Sequence, residues 1–170
     1  NHHQIPASAF DAEKEHYRKA GSTDEYLADH HRRQVAELQR HSDTNTVWYE
    51  QVITQEVVDF VAANPEIQSA VRDGDTLYTT KIPYDPARYL SEIDPVMKRY
   101  YACHCPFVRE AIKRGETDIS ETWCYCSGGF TKYPYDVIFG RELRVELLQS
   151  ALRGDPICRF AIHLDGAAEK

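Results

Sequence analysis

Two Cys-x-Cys pairs, at residues 103–105 and 124–126, constrain this chain more than any other feature of its sequence. Pro106 follows the first pair, and proline is favoured in the first turn of a helix because its missing N–H needs no partner there. We therefore expect the second cysteine of each pair to lie where a helix begins. A helix start carries partial positive charge and unpaired N–H groups, and both favour the thiolate over the thiol.

Composition is that of a globular protein with one core. The chain has 170 residues, of which 42% are hydrophobic and 28% are charged, and we expect a single domain over residues 1–170. Its helical part is predicted over residues 1–75, and the part with the sheet and the cysteines over 76–165. The net charge of -7 argues against a nucleic-acid surface. Because there is no membrane-length apolar run and no signal-peptide core, we expect a cytoplasmic location and no membrane partner.

The order of predicted elements indicates an α+β fold, in which N-terminal helices pack on a small antiparallel sheet. Helices are predicted over residues 9–19, 24–40, 66–72, 89–101, 106–114 and 129–139, with one more after Thr54. Strands are predicted over residues 76–82, 142–152 and 157–164. The helix over 24–40 carries an apolar stripe, so it faces either the core or a second copy in a homodimer.

The cysteines suggest a metal site. All five lie at or after residue 103, and in a reducing compartment such clustering favours metal or reactive thiols over a disulfide framework. The leading hypothesis is zinc, because several thiolates suit a tetrahedral ion, although one residue between paired ligands is fewer than usual. The candidate ligands are Cys103, Cys105, Cys124, Cys126 and Cys158.

Two other thiol chemistries remain open from the sequence. In a cysteine enzyme, Cys126 or Cys105 would be the nucleophile and His104 the base. In a redox protein, the Cys-x-Cys pairs would cycle between dithiol and a strained, easily reduced disulfide. The sequence does not choose between zinc, nucleophilic catalysis and redox cycling.

Aromatic residues near the cysteine pairs suggest a binding pocket. The chain has 11 Tyr, 6 Phe and 2 Trp, and an apolar pocket with aromatic walls suits a flat organic ligand. We expect Tyr101, Tyr133 and Phe139 to line such a pocket, because they lie beside the first pair or on the helix after Cys126. The expected partner is therefore a small organic molecule.

The segment from residue 123 to residue 164 carries a family resemblance. It reads Trp-Cys-Tyr-Cys-Ser-Gly-Gly-Phe, then a helix, then Phe-Gly-Arg at 139–141, and later Gly-Asp-Pro-Ile-Cys-Arg-Phe at 154–160. This layout resembles the C-terminal half of 4-vinyl-reductase-type small-molecule-binding domains, which share a fold with TRAPP components and haem-nitric-oxide-binding domains. It is also similar to bacterial proteins named after L-2-amino-thiazoline-4-carboxylic acid hydrolase. The resemblance implies small-molecule binding or, as the alternative, hydrolytic opening of a small heterocycle.

The resemblance also implies part of a zinc site. Phenol-sensing members of the 4-vinyl-reductase type hold zinc through a Cys before the helix, a Glu and a Cys on the next strand, and a Cys on the last strand. Cys124 and Cys158 correspond to the first and the last of these ligands. The strand cysteine corresponds to Ser150, and the glutamate falls near Leu147, with Glu146 one residue off register.

Overall fold

The fold consists of helices around one small sheet over residues 5–166, the part of the chain that the computed structural model describes. In that part it contains seven α-helices and a four-stranded antiparallel sheet, which confirms the α+β class. The predicted domain limits, residues 1 and 170, lie outside the described residues. The helices are α1 (Asp11–Lys19), α2 (Thr23–Asp43), α3 (Gln55–Ala62), α4 (Pro86–Ser91), α5 (Pro95–Ala102), α6 (Pro106–Arg114) and α7 (Cys124–Phe139). The strands are β1 (Val71–Asp73), β2 (Thr76–Thr80), β3 (Arg144–Gln149) and β4 (Arg159–His163).

Side-chain caps and prolines explain where the helices begin. Ser22 caps α2 and Thr54 caps α3, each accepting a hydrogen bond from a backbone N–H of the first turn. The single helix predicted over residues 89–101 is instead two helices. Asp85 and Asp94 cap α4 and α5, and each is followed by a proline at the first helical position. Each Asp-Pro pair therefore starts a helix of its own.

The sheet has the strand order β1-β2-β4-β3, so β4 lies between β2 and β3. Ile162 of β4 is opposite Leu77 of β2, and Phe160 is opposite Leu147 of β3. The helix predicted over residues 66–72 is wrong: this segment holds turns and an isolated bridge from Ile67 to Thr80, and β1 begins at Val71. Gly74, with φ of 57°, forms the turn that folds β1 back on β2, and only glycine adopts this backbone conformation without strain.

Helix α7 packs along the sheet and connects two parts of the core. Near its N-terminal end, Cys124 lies in a buried cluster with Phe160. Near its C-terminal end, Tyr135 and Ile138 lie in a second cluster with Ile162. Phe160 and Ile162 are two residues apart in β4, so they share one face of the strand. This packing fixes the start of α7 beside the beginning of β4.

Two expectations about partners depend on the helices. Leu27 and Leu38 of the α2 stripe are buried within the chain, and α2 packs against α3, where His31 Nε2 lies 3.0 Å from the carbonyl oxygen of Val61. The stripe therefore faces the core, and a homodimer stays a prediction without support from it. Among residues 5–166 we find no helix with both the length and the apolar character that a membrane crossing requires.

Candidate functional site

All five cysteines line one pocket with a volume of about 520 Å³, which we call the cysteine pocket. The first pair reaches it from the connection between α5 and α6, and the second pair from the first turn of α7. Cys158 reaches it from the residue before β4. The structure thus brings both Cys-x-Cys pairs together, as expected. The other lining residues are Lys81, His104, Pro106, Phe107, Trp123, Ser127, Phe130 and Phe160.

The start of α7 differs from the prediction. Cys105 does lie directly before α6, but α7 begins at Cys124 and not after the second pair. The glycines after Cys126 suggest a helix break, yet Gly128 lies inside α7 because the helix passes close to Phe160. A Cβ atom at Gly128 would lie 3.1 Å from Phe160 Cε1, which is closer than ordinary contact.

Burial keeps three of the thiols protonated. It raises the pKa of the Cys103 thiol to about 12, and it also raises the pKa values of Cys124 and Cys158. The expectation of thiolates is therefore wrong for these three residues. Loss of hydration disfavours the charged form more than a helix start favours it. Cys126, in contrast, is an exposed residue at the same pocket.

The described side chains do not fit the zinc site that the resemblance implies. Cys124 Sγ lies 3.2 Å from Ser150 Oγ, so a hydroxyl stands where the family has a thiolate. Glu146 Oε2 lies 3.1 Å from His163 Nε2, a contact that does not involve the pocket. Across residues 5–166, no group of three or more His, Cys, Asp or Glu side chains is arranged to hold a metal ion. Zinc stays a prediction, which elemental analysis of the reduced protein tests.

His104 connects the pocket to the end of β2. Its Nε2 lies 2.7 Å from the carbonyl oxygen of Ile82, and because a carbonyl only accepts, this nitrogen carries the proton. Burial lowers the pKa of the ring to about 4, so it is neutral at neutral pH. Within the described residues, no hydrogen bond joins His104 to a thiol. Its role as the base for Cys105 or Cys126 stays a prediction.

The three aromatic residues expected in the pocket lie elsewhere. The Tyr133 hydroxyl donates to the carbonyl oxygen of Ile5 at 2.9 Å, and Phe139 packs in the cluster at the C-terminal end of α7. Tyr101 packs beside the pocket, with the Arg88 guanidinium 5.8 Å from its ring. None of the three lines the pocket with the cysteines, because nearness in sequence does not decide which helix face meets a cavity, and their role as ligand contacts stays a prediction. The aromatic lining is Phe107, Trp123, Phe130 and Phe160.

Lys81 is a further lining residue that the sequence does not predict. It follows β2, and its Nζ lies 5.1 Å from the centre of the Phe130 ring. Burial lowers the pKa of its ammonium group, because loss of hydration disfavours the charged form. A signal was present: Leu77 and Thr79 are buried, and Lys81 continues their alternation towards the same face.

Comparison with protein families gives a match to the C-terminal half of the chain. Residues 85–168 match a family of unknown function, DUF6144. No curated protein and no solved structure has significant similarity to the chain. The matched region runs from just before α4 past the end of β4, so it contains all five cysteines. Of the described residues that line the pocket, Lys81 alone precedes the matched region.

Proposed function

We propose that this chain binds a small, largely apolar organic molecule in the cysteine pocket. The observation that carries the proposal is the group of exposed aromatic rings at this cavity. Phe107 is 72% exposed, Trp123 is 51% exposed and Phe130 is 47% exposed. Large apolar side chains that are grouped around a cavity and left open to water are typical of binding sites.

The shape and chemistry of the cavity support the same function. The Phe107 and Trp123 rings pack against each other, with their centroids 5.6 Å apart and their planes tilted by 43°, so they form one continuous apolar surface that an aromatic ligand can contact. Two other lining residues, Phe160 and Cys103, are buried. A volume of about 520 Å³ is within the range of small-molecule pockets.

The family resemblance supports the proposal independently of the cavity. It assigns the positions of Cys124, Ser150 and Cys158 to one site in 4-vinyl-reductase-type domains. In this chain Cys124 contacts Ser150, and Cys158 lies at the same pocket. We therefore extend the proposal to the fold type: a 4-vinyl-reductase-like domain in which three of the cysteines serve as neutral, polarizable lining. Hydrolysis with Cys126 or Cys105 as the nucleophile, and redox cycling of the Cys-x-Cys pairs, stay predictions.

Binding of naphthamide, a neutral aromatic probe, tests this function. In a Trp48→Phe background, Trp123 is the remaining tryptophan, and its fluorescence reports on the pocket opening directly. We expect saturable quenching as naphthamide is added. Phe107→Ala removes ring surface from the opening, so we expect the Kd to rise about three- to tenfold.

The matched control is Ile93→Ala, which removes an apolar side chain that is 94% exposed and does not line the pocket. This variant should bind naphthamide like the parent protein. Equal weakening in both variants would show that the probe binds exposed apolar surface in general. The absence of saturable quenching would count against the proposed function.

A further inference from the structure

The cysteine pocket differs in charge from the rest of the molecule. The chain has 27 acidic and 20 basic residues, yet no carboxylate is among the described residues that line this pocket. Among the described residues that line the pocket, Lys81 is the only lysine, and there is no arginine. His104 also lines the pocket, and its ring is neutral at neutral pH. An acidic protein therefore has an apolar cavity whose described lining contains a lysine and no carboxylate.

Two other cations that are partly or fully buried, Arg159 and Lys132, are each paired with a carboxylate. Arg159 forms two hydrogen bonds of 2.7 Å with Glu66, and Lys132 pairs with Asp136. Lys81 has no such ion pair within the described residues; its Nζ lies over the Phe130 ring instead. A cation in an apolar cavity without a counter-charge is unfavourable, and an anion entering the cavity would relieve that cost.

We propose that Lys81 binds the anionic group of the ligand, so that the natural ligand is a small apolar acid such as an aromatic carboxylate. This inference rests on the proposed function and names its ligand class. The aromatic rings at the opening contact the apolar part, and the Lys81 ammonium donates hydrogen bonds to the anionic oxygens. Among residues 5–166, no carboxylate that lines the cavity would repel the ligand at close range.

Naphthoate and naphthamide form the matched probe pair, because they share the ring system and differ in charge. We expect the parent protein to bind naphthoate about 10- to 100-fold more tightly than naphthamide, as is typical of a charge-assisted hydrogen bond. Lys81→Met should abolish this preference, and the measured quantity is the ratio of the two Kd values in the same variant. Lys81→Arg keeps the positive charge and should keep most of the preference.

Lys98→Met is the matched control variant. Lys98 Nζ lies 4.9 Å from the centre of the Tyr89 ring, so this variant also removes one positive charge and one cation–π contact. Lys98 lies outside the cysteine pocket. The preference of Lys98→Met for naphthoate should therefore equal that of the parent protein. A similar loss in both variants would show a net-charge effect and would overturn the assignment to Lys81.

Equal binding of the two probes by the parent protein would overturn the anion preference and leave the proposed function standing. Binding of neither probe would overturn both. If Lys81→Met fails to fold, isotope-labelled dimethylation of the parent protein's lysines decides the question by NMR. Naphthoate should then shift the Lys81 methyl signal more than naphthamide does, and equal shifts would overturn the proposal.

Discussion

At the residue scale, burial has the largest effect on the chemistry of the pocket. Thiols and an imidazole that would be charged or reactive in water are held in their neutral forms by loss of hydration. Cys103 and Cys126 illustrate the contrast, because both lie at the pocket but only Cys126 is exposed. This effect of burial is testable both for the thiols and for His104.

The first prediction concerns the order of thiol alkylation. Cys126 should react with iodoacetamide first, and Cys103 should react last, because it is 5% exposed and its pKa is raised to about 12. Peptide mass mapping over time at neutral pH measures both rates. We expect a difference of at least about tenfold, since the thiolate fraction falls tenfold for each unit of pKa. Equal rates would contradict this account of the thiols.

The second prediction concerns acid stability and His104. The folded state keeps this ring neutral down to a pKa of about 4, whereas an unperturbed histidine protonates near 6.5. Between these values the unfolded chain binds more protons, so the free energy of unfolding should fall as the pH falls from 6.5 to about 4. His104→Gln keeps a donor for the Ile82 carbonyl and removes the titration.

Denaturant unfolding of both proteins at several pH values measures the difference. His30, whose pKa is also lowered by burial, is present in both proteins, so its contribution cancels. The variant should lose less stability than the parent protein across this interval. Parallel pH curves would show that the ring does not contribute as described.

At the element scale, the first turn of α7 determines the shape of the pocket. Cys124, Cys126 and Phe130 all line the pocket from this helix, and Cys126 and Phe130 are four residues apart, so they lie on the same side. The position of this turn depends on the close approach of Gly128 to Phe160. A larger residue at Gly128 would have to move the helix away from β4.

Gly128→Ala tests this contact. Alanine is favoured over glycine in a helix by about 1 kcal/mol, but overpacking a core costs about 1–3 kcal/mol. Because the new Cβ would lie 3.1 and 3.3 Å from two atoms of the buried Phe160 ring, we expect a net loss of about 1 kcal/mol. Urea unfolding measures it. The double variant with Phe160→Leu should show coupling between the sites, and a stabilising Gly128→Ala would contradict the packing argument.

The sequence predicts some elements well because their ends are chemically marked. Helix α6 has the predicted bounds, since Pro106 begins it and Gly115, with φ of 70°, ends it. The start of α7 was missed, because the two glycines at 128–129 look like a break unless their packing partner is known. The aromatic lining was missed for the same reason: Phe130 becomes a pocket candidate only once α7 is known to include Cys126.

The other features that the sequence does not predict depend on contacts between residues that are distant in the chain. The alternation of β2 places Lys81 on the inner face, but its cavity forms only when α7 packs on the sheet. The resemblance related Cys124 and Ser150, which are 26 positions apart, and the structure places them in contact. The Arg159–Glu66 ion pair joins residues 93 positions apart, and no local pattern predicts it.

At the scale of the whole molecule, the pocket joins parts of the chain that are distant in sequence. The end of β2, the connection between α5 and α6, the start of α7 and the residue before β4 all contribute to it. A ligand that contacts all four should stabilise the whole fold. At a naphthamide concentration of about 100 times Kd, we expect a gain of about 2.7 kcal/mol in the free energy of unfolding.

Thermal unfolding with and without naphthamide measures this gain. The Tm of the parent protein should rise with naphthamide concentration, and that of Phe107→Ala should rise less at the same concentration. A Tm that does not change while Trp123 is quenched would show that the probe binds the unfolded chain as well as the folded one.

The most direct test of the account is protection of Cys126 from alkylation by a bound ligand. Cys126 is exposed and lies at the same pocket as the aromatic rings of Phe107 and Trp123. In the parent protein saturated with naphthamide, we predict that iodoacetamide modifies Cys126 at least about fivefold more slowly than in the unliganded protein. An unchanged rate at saturation would place the ligand away from the cysteines and would contradict the central claim.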